Sequence, residues 1–232
     1  IRVFSLGFAT YRVDWQPIVY ALAILTLVVG SVMAVVQTDV KRMLAYSSIS
    51  HAGFILMAVQ AATERGVEAV LFYLGSYTFL VGGSFAVVAV VGREGDGKHA
   101  LSDYQGLAKS RPALALVFSV LLFSQAGVPF TSGFFAKFYA ISAAVDARSF
   151  PLAAVAMFSA VIAAFLYLRI TVSMWMGDDD EAVVSAEDLP VPMGVRIALL
   201  LSVVFTLGVG LFPHTLTGLA ADATAVLVQF TG

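Results

Sequence analysis

GVPFTSGFFAKFYAI, residues 127–141, places a glycine, a proline and a lysine inside a stretch otherwise fit for lipid. An ammonium group at the centre of a bilayer helix costs on the order of 2.5 to 3.5 kcal/mol on insertion scales, so a lysine retained there has a task. The apolar run around it is also too long. Residues 112–145 would make roughly 50 Å of continuous helix at 1.5 Å per residue, well beyond a hydrocarbon core of about 30 Å. Gly127 and Pro129 supply the break: proline removes a backbone donor and clashes with the preceding turn, and glycine lets the chain leave helical geometry. Unwound backbone at membrane depth persists only where protein or a watery cavity satisfies it. The expected element is therefore a discontinuous helix that lines a pathway.

The rest of the chain supports a membrane setting. Of 232 residues, 60% are hydrophobic and 12% charged, against about 45 to 50% and about 25% in soluble domains. Apolar runs predict six spans, at 17–36, 43–62, 67–91, 112–145 (broken near 127–129), 150–176 and 193–211. The expected fold is an all-α, polytopic transmembrane helix bundle with one discontinuous helix, forming one domain over residues 1–232. Residues 216–230 are either a further short helix or a frayed end. A net charge of -2, with the charges gathered in short loops, excludes nucleic acid as a partner. The absence of cysteine excludes disulfides, iron–sulfur ligation and thiol chemistry. Of the three histidines only His51 is placed in the bilayer, so a haem held by two facing histidines is not expected. Soluble-enzyme motifs such as GxGxxG, a P-loop or HExxH are missing. The chain starts at Ile1 without a signal pattern and reads as a piece of a longer protein.

Loop cations set the orientation. Arg2, Arg12, Arg65 and Arg148 lie on one side; Lys41, Arg42, Arg93, Lys98, Lys109, Arg111 and Arg196 lie on the other, which is expected to face the cytoplasm. Lys137 and Arg169 fall within spans.

Two features could carry chemistry. Lys137 follows Pro129 on the second half of the broken helix, where it either snorkels to an interface or stays buried and exchanges a proton. The second is KRMLAYSSISHAGF, residues 41–54. Tyr46, Ser47, Ser48, Ser50 and His51 crowd polar groups into little more than one helical turn, with Ser47 and His51 at the i,i+4 spacing that shares a face. His51 lies ten residues beyond Lys41, hence about 15 Å deep. Imidazole titrates near neutrality without perturbation and suits a proton relay; the alternative is a neutral histidine bonded to a carbonyl, with serines bonding back into their own helix. Tyr73 and Tyr77, with Ser76 and Thr78 beside them, are weaker candidates for the same path. Arg169 is expected to snorkel to the cytoplasmic end. The acidic run 178–181 is a solvated loop without the ligand spacing of a calcium site, and no metal site is expected.

QTDVKRMLAYSSISHAGF (37–54) and GVPFTSGFFAKFYAI (127–141), with the ending GLFPHTLTGLA (210–220), resemble the C-terminal half of the antiporter-like membrane subunits of respiratory complex I, nearest to the N-subunit branch of bacterial NADH–quinone oxidoreductase. The resemblance implies inverted repeats with one interrupted helix in each, and proton transfer along a central axis of charged residues and histidines. It makes Lys137 the lysine of the second broken helix and His51 an axis histidine, and it sets Tyr77 near a place where sister subunits carry a histidine; Tyr73, Ser47 and Ser48, read above from their own positions, complete the expected route. It also implies a multi-pass protein of the bacterial inner membrane, partnered by other membrane subunits, the lipid bilayer and protons. No catalytic residue and no cofactor belong to this chain; quinone, NADH, FMN and iron–sulfur clusters are expected in other subunits of the enzyme. The family's acidic residue and further lysines on earlier helices have no counterpart here. Multi-subunit sodium/proton antiporters and membrane-bound hydrogenases share these motifs, and a structural scaffold subunit is the alternative from another class.

Overall fold

The computed structural model describes residues 1–92, 99–176 and 191–228; the loop cations Arg93 and Lys98, the acidic run 178–181 and the end of the tail lie outside the described residues. The described chain is an all-α bundle: α1 (Arg12–Val35), α2 (Val40–Gln60), α3 (Glu64–Gly92), the short α4 (Leu107–Ser110), α5 (Pro112–Ala126), α6 (Ser132–Asp146), α7 (Phe150–Trp175), α8 (Met193–Leu211) and α9 (His214–Val228). Five of these, α1, α2, α3, α7 and α8, are long and apolar enough to cross a membrane, and α5 is a shorter apolar helix.

Local chemistry sets the boundaries. Helix α1 begins five residues before Pro17, because the indole of Trp15 donates to the Phe8 carbonyl (3.0 Å) and anchors the first turn. Asp39 caps α2 by accepting from the Arg42 amide at 2.8 Å, supplying one of the acceptors that the first-turn amides lack. Pro112 opens α5 and Pro151 stands in the first turn of α7, where a missing N–H costs nothing. Residues 214–228 are helical, so the tail is a ninth helix among the described residues.

At the break, Gly127 adopts φ +97° and closes a Schellman motif: its amide donates to Ser124 O (3.0 Å) and the Val128 amide to Phe123 O (3.0 Å). After four intervening residues, 128–131, α6 starts at Ser132, its Gly133 amide donating to Ser124 Oγ at 3.1 Å. A side chain at residue 133 would strike the Ser124 carbonyl, so glycine is what allows the two half-helices to meet.

The polar stretch between the predicted spans 67–91 and 112–145 is tied, through residues 99–101, to the α1–α2 turn. Val40 N–H donates to His99 O (2.7 Å), Leu101 N–H donates to Thr38 O (2.9 Å), and Asp39 and Ala100 form an isolated antiparallel bridge. Tyr104 and Leu107 plunge from this stretch into the core.

Two apolar clusters fill the bundle. One is built around Met43, Leu44, Val87, Phe118, Leu122 and Ile170; the other, at the opposite end, around Phe54, Met57, Val70, Phe72, Ala140 and Leu152. Between them, on α2, α3, α5 and α6, runs a seam of buried polar side chains: Ser47, His51, Ser84, Ser124, Gln125 and Lys137. Along α2 and α3 the seam falls between residues of the two clusters.

Candidate functional site

Lys137 is 6% exposed, so it does not snorkel. Its Nζ donates to Gln125 O at 2.6 Å and Ala126 O at 3.1 Å. The last four carbonyls of a helix have no partner within it. In α5 the Schellman motif satisfies those of residues 123 and 124, and the Lys137 ammonium takes those of residues 125 and 126. The lysine is thus a C-terminal cap supplied by the next half-helix. A cation at the negative end of a helix dipole is favoured, whereas burial opposes it. The site extends sideways, since Gln125 Nε2 donates to Ser84 Oγ of α3 at 2.7 Å.

His51 is 4% exposed and bonds through both ring nitrogens: Nδ1 to the Tyr73 hydroxyl at 2.7 Å and Nε2 to the Tyr167 hydroxyl at 3.0 Å. The Tyr167 hydroxyl also bonds Ser47 Oγ. Ser47, Tyr167, His51 and Tyr73 therefore form one chain of hydrogen bonds across α2, α7 and α3. Every member between the ends can accept a proton on one side and donate one on the other, and the neutral imidazole does so by exchanging tautomers. The Tyr77 ring lies against the imidazole, with centroids 4.9 Å apart.

The two polar groups do not touch. Phe54 stands between them, its ring stacked on Tyr73 and its face 5.5 Å from Lys137 Nζ. The gap lined by His51, Tyr73, Tyr77, Leu80, Gly133 and Ala136 is too narrow to seat a water molecule. Aromatic rings from α2 and α3 close this seam between the two polar groups.

The structure brings Ser47, His51, Tyr73 and Tyr77 together, and Ser48, bonded to Leu44 O of its own helix at 2.9 Å, has its hydroxyl beside that of Tyr77. Three participants escaped sequence reasoning: Tyr167, Gln125 and Ser84. Gln125 carried a signal, an amide in the apolar run LLFSQAG two residues before Gly127; Tyr167 carried a weaker one in FLYLR, and Ser84 none. Arg169 does more than snorkel. Its Nη1 donates to Val35 O (3.1 Å) and Gln37 O (3.2 Å), capping the end of α1. No group of three or more histidine, cysteine, aspartate or glutamate side chains that could hold a metal occurs among the described residues.

A bundle of apolar helices that buries a lysine at an interrupted helix defines a multi-pass membrane protein built like a transporter. The chain belongs to the family described as NADH:quinone oxidoreductase/Mrp antiporter, TM, whose profile matches residues 1–163. It is 38% identical over 227 residues to NADH-quinone oxidoreductase subunit N 1 of Solibacter usitatus, covering 98% of this chain and 46% of that protein. Against NADH-quinone oxidoreductase subunit N of Rhodococcus opacus it is 42% identical over 225 residues, covering 96% and 41%. The chain thus spans about half the length of the curated relatives it matches. Among solved structures, a chain of respiratory complex I from Thermus thermophilus with bound NADH superposes with a TM-score of 0.77 at 27% identity, over 94% of this chain and 46% of that one. A chain of the Mrp complex from Dietzia sp. DQ12-45-1b gives 0.86 at 24% identity, over 99% and 50%, a likeness of fold.

Proposed function

We propose that this chain is a proton-translocating membrane subunit of a bacterial NADH–quinone oxidoreductase, moving protons as quinone is reduced elsewhere in the assembly. Residues 1–232 form part of one transmembrane domain, seated in the inner membrane beside other membrane subunits, with the redox cofactors in other subunits of the complex. The relatives named as subunit N favour this reading over a sodium/proton antiporter, because the likeness to the Mrp complex is one of fold. The observation that carries it is the buried Lys137, held as a cap on an interrupted helix and facing a hydroxyl–imidazole chain across a closed aromatic seam.

In this mechanism Lys137 is the loading site and the chain Ser47–Tyr167–His51–Tyr73 is the relay. The ammonium is held by the Gln125 and Ala126 carbonyls. When charge shifts on neighbouring subunits disfavour it, the proton leaves, the cap weakens and the end of α5 loosens. Displacement of Phe54 and the Tyr77 ring then opens the seam and lets a proton pass from the imidazole chain to the amine. Closure of the seam in the resting conformation prevents leakage, and the relay carries protons only when the charge at Lys137 changes.

The test uses the complete complex in proteoliposomes. Lys137→Ala is expected to lower proton pumping at least tenfold, since a positioned proton carrier contributes on the order of 10² to 10⁴ in rate. Lys137→Arg keeps the positive cap but holds its proton permanently, and is expected to assemble normally and pump as poorly. Normal pumping by the arginine variant would reduce Lys137 to a structural cap.

A further inference from the structure

At the end of the bundle opposite Lys41 and Arg42, α3, α6 and α9 enclose a cavity of about 250 Å³, ample for several water molecules. Glu68, half-buried, lines it together with Arg65, Tyr139, Ser142 and Thr217. Arg65 and Asp146 form an ion pair at 2.7 Å that ties α3 to α6 there, and Glu68 lies within electrostatic reach of the same guanidinium. Phe72 is the innermost lining residue on α3, and its ring meets that of Tyr139 edge to face, centroids 5.0 Å apart.

Further in, the same helices carry hydroxyls without partners. Ser76 stands one turn from Phe72 on α3 and one turn from Leu80, which lines the gap beside His51; on α6, Ser132 stands one turn before Ala136, another residue of that gap. On α8, Thr206 follows Phe205, whose ring stacks on Phe79 of α3 at 3.9 Å, and Gly210, one turn later, abuts the Phe130 carbonyl at the break. Ser76, Ser132 and Thr206 are fully buried, and their hydroxyls have no hydrogen-bond partner among the described residues. A buried hydroxyl left unpaired is costly, and internal water is the usual partner of such groups. The interface of α3 with α6 and α8 therefore offers places for water between the His51 gap and the outer cavity.

Taking Lys137 as the loading site, as the proposed function does, we propose that its protons leave through the cavity under α9, with the Glu68 carboxylate as the release group. The Lys137 ammonium gives up a proton, which passes along the Ser132, Thr206 and Ser76 hydroxyls and the water between them, each O–H bond forming as the next one breaks. The carboxylate takes the proton as a carboxylic acid and hands it to water at the mouth, so nothing is oxidised or reduced. The Phe72 and Tyr139 rings close this passage at rest, and they are a different pair from Phe54 and Tyr77. Loading and release thus pass separate aromatic gates on the two sides of Lys137.

The test uses the complete complex. In proteoliposomes Glu68→Gln is expected to lower proton pumping at least about fivefold, less than for a buried carrier because water reaches this mouth, and Glu68→Asp should restore most of it. The chain has no cysteine, so single cysteines report access in right-side-out spheroplasts treated with a charged, membrane-impermeant methanethiosulfonate. Ser142→Cys should be labelled from outside and lose pumping once labelled. Ser76→Cys should be labelled at least about fivefold faster during respiration than with quinone reduction inhibited, as the opening of a gate requires. The cysteine variants decide the matter if Glu68→Gln fails to assemble. Normal pumping by Glu68→Gln, normal pumping after Ser142→Cys is labelled, or labelling of Ser76→Cys that ignores turnover would each overturn the exit, even with Lys137→Arg inactive. Conversely, normal pumping by Lys137→Arg beside loss in Glu68→Gln would remove the loading site and keep this exit.

Discussion

Two polar sites share the middle of this bundle and are built by opposite means. At Lys137 the partners are backbone carbonyls left over where a helix stops; at His51 they are hydroxyls standing on three uninterrupted helices. The first site exists because the main chain is broken, and one side chain both needs and repairs the break. The second exists because side chains meet across helix faces, and the main chain there is wholly satisfied. A charge is tolerated at the first because helix-end dipoles are fixed and already oriented. At the second, neutral groups that donate and accept in turn can pass a proton without a lasting charge.

Substitutions can break this contrast, and the largest effect is expected at the hydroxyl chain. His51→Leu leaves the buried Tyr73 hydroxyl without its partner, at about 1 to 3 kcal/mol, while Tyr167 keeps Ser47. The variant should lower the thermal midpoint of the complex and abolish relay, and a midpoint equal to wild type would show that another partner serves that hydroxyl. Next comes Gly127→Ala, which forces a β-carbon into the left-handed region at about 1 to 2 kcal/mol and sets it 3.4 Å from Lys137 Cδ. This variant should weaken assembly and disturb pumping even though it removes no polar group, which separates a main-chain site from a side-chain one. Tyr167→Phe removes one hydroxyl, costs about 1 kcal/mol, and should slow proton transfer while leaving the Lys137 cap intact. Smallest is Ser48→Ala. Its hydroxyl bonds back to Leu44 O and lies beside that of Tyr77, outside the Ser47–Tyr167–His51–Tyr73 chain, so stability should stay within about 0.5 kcal/mol of wild type with pumping little changed, and a clear loss of pumping would put the Ser48–Tyr77 pair on the route.

What the sequence disclosed follows the same division. The interrupted helix was legible because glycine, proline and lysine announce themselves in an apolar run, and their effect is local. The end of α5 was legible for the same reason, through Gly127. The seam around His51 was half legible: the polar cluster on α2 and the tyrosines of α3 stood out, but their partner Tyr167 lies 116 residues away from His51, and no local pattern pairs them. Ser84 and the pairing of residues 99–101 with the α1–α2 turn were hidden likewise. Nor could composition show that the space between imidazole and amine is closed, since that depends on how the Phe54 and Tyr77 rings pack.

Arg169 gives α7 a constraint with mechanical meaning. Its guanidinium grips the Val35 carbonyl at the end of α1 and the Gln37 carbonyl just beyond it, while Tyr167, two residues earlier on the same helix, reaches His51. A piston-like slide of α7 against α1 would tear both charge-assisted bonds before it moved the phenol far. Motion that disconnects Tyr167 from the imidazole is therefore steered toward twisting of α7 or a swing of the ring itself, so the switch at this position is rotary.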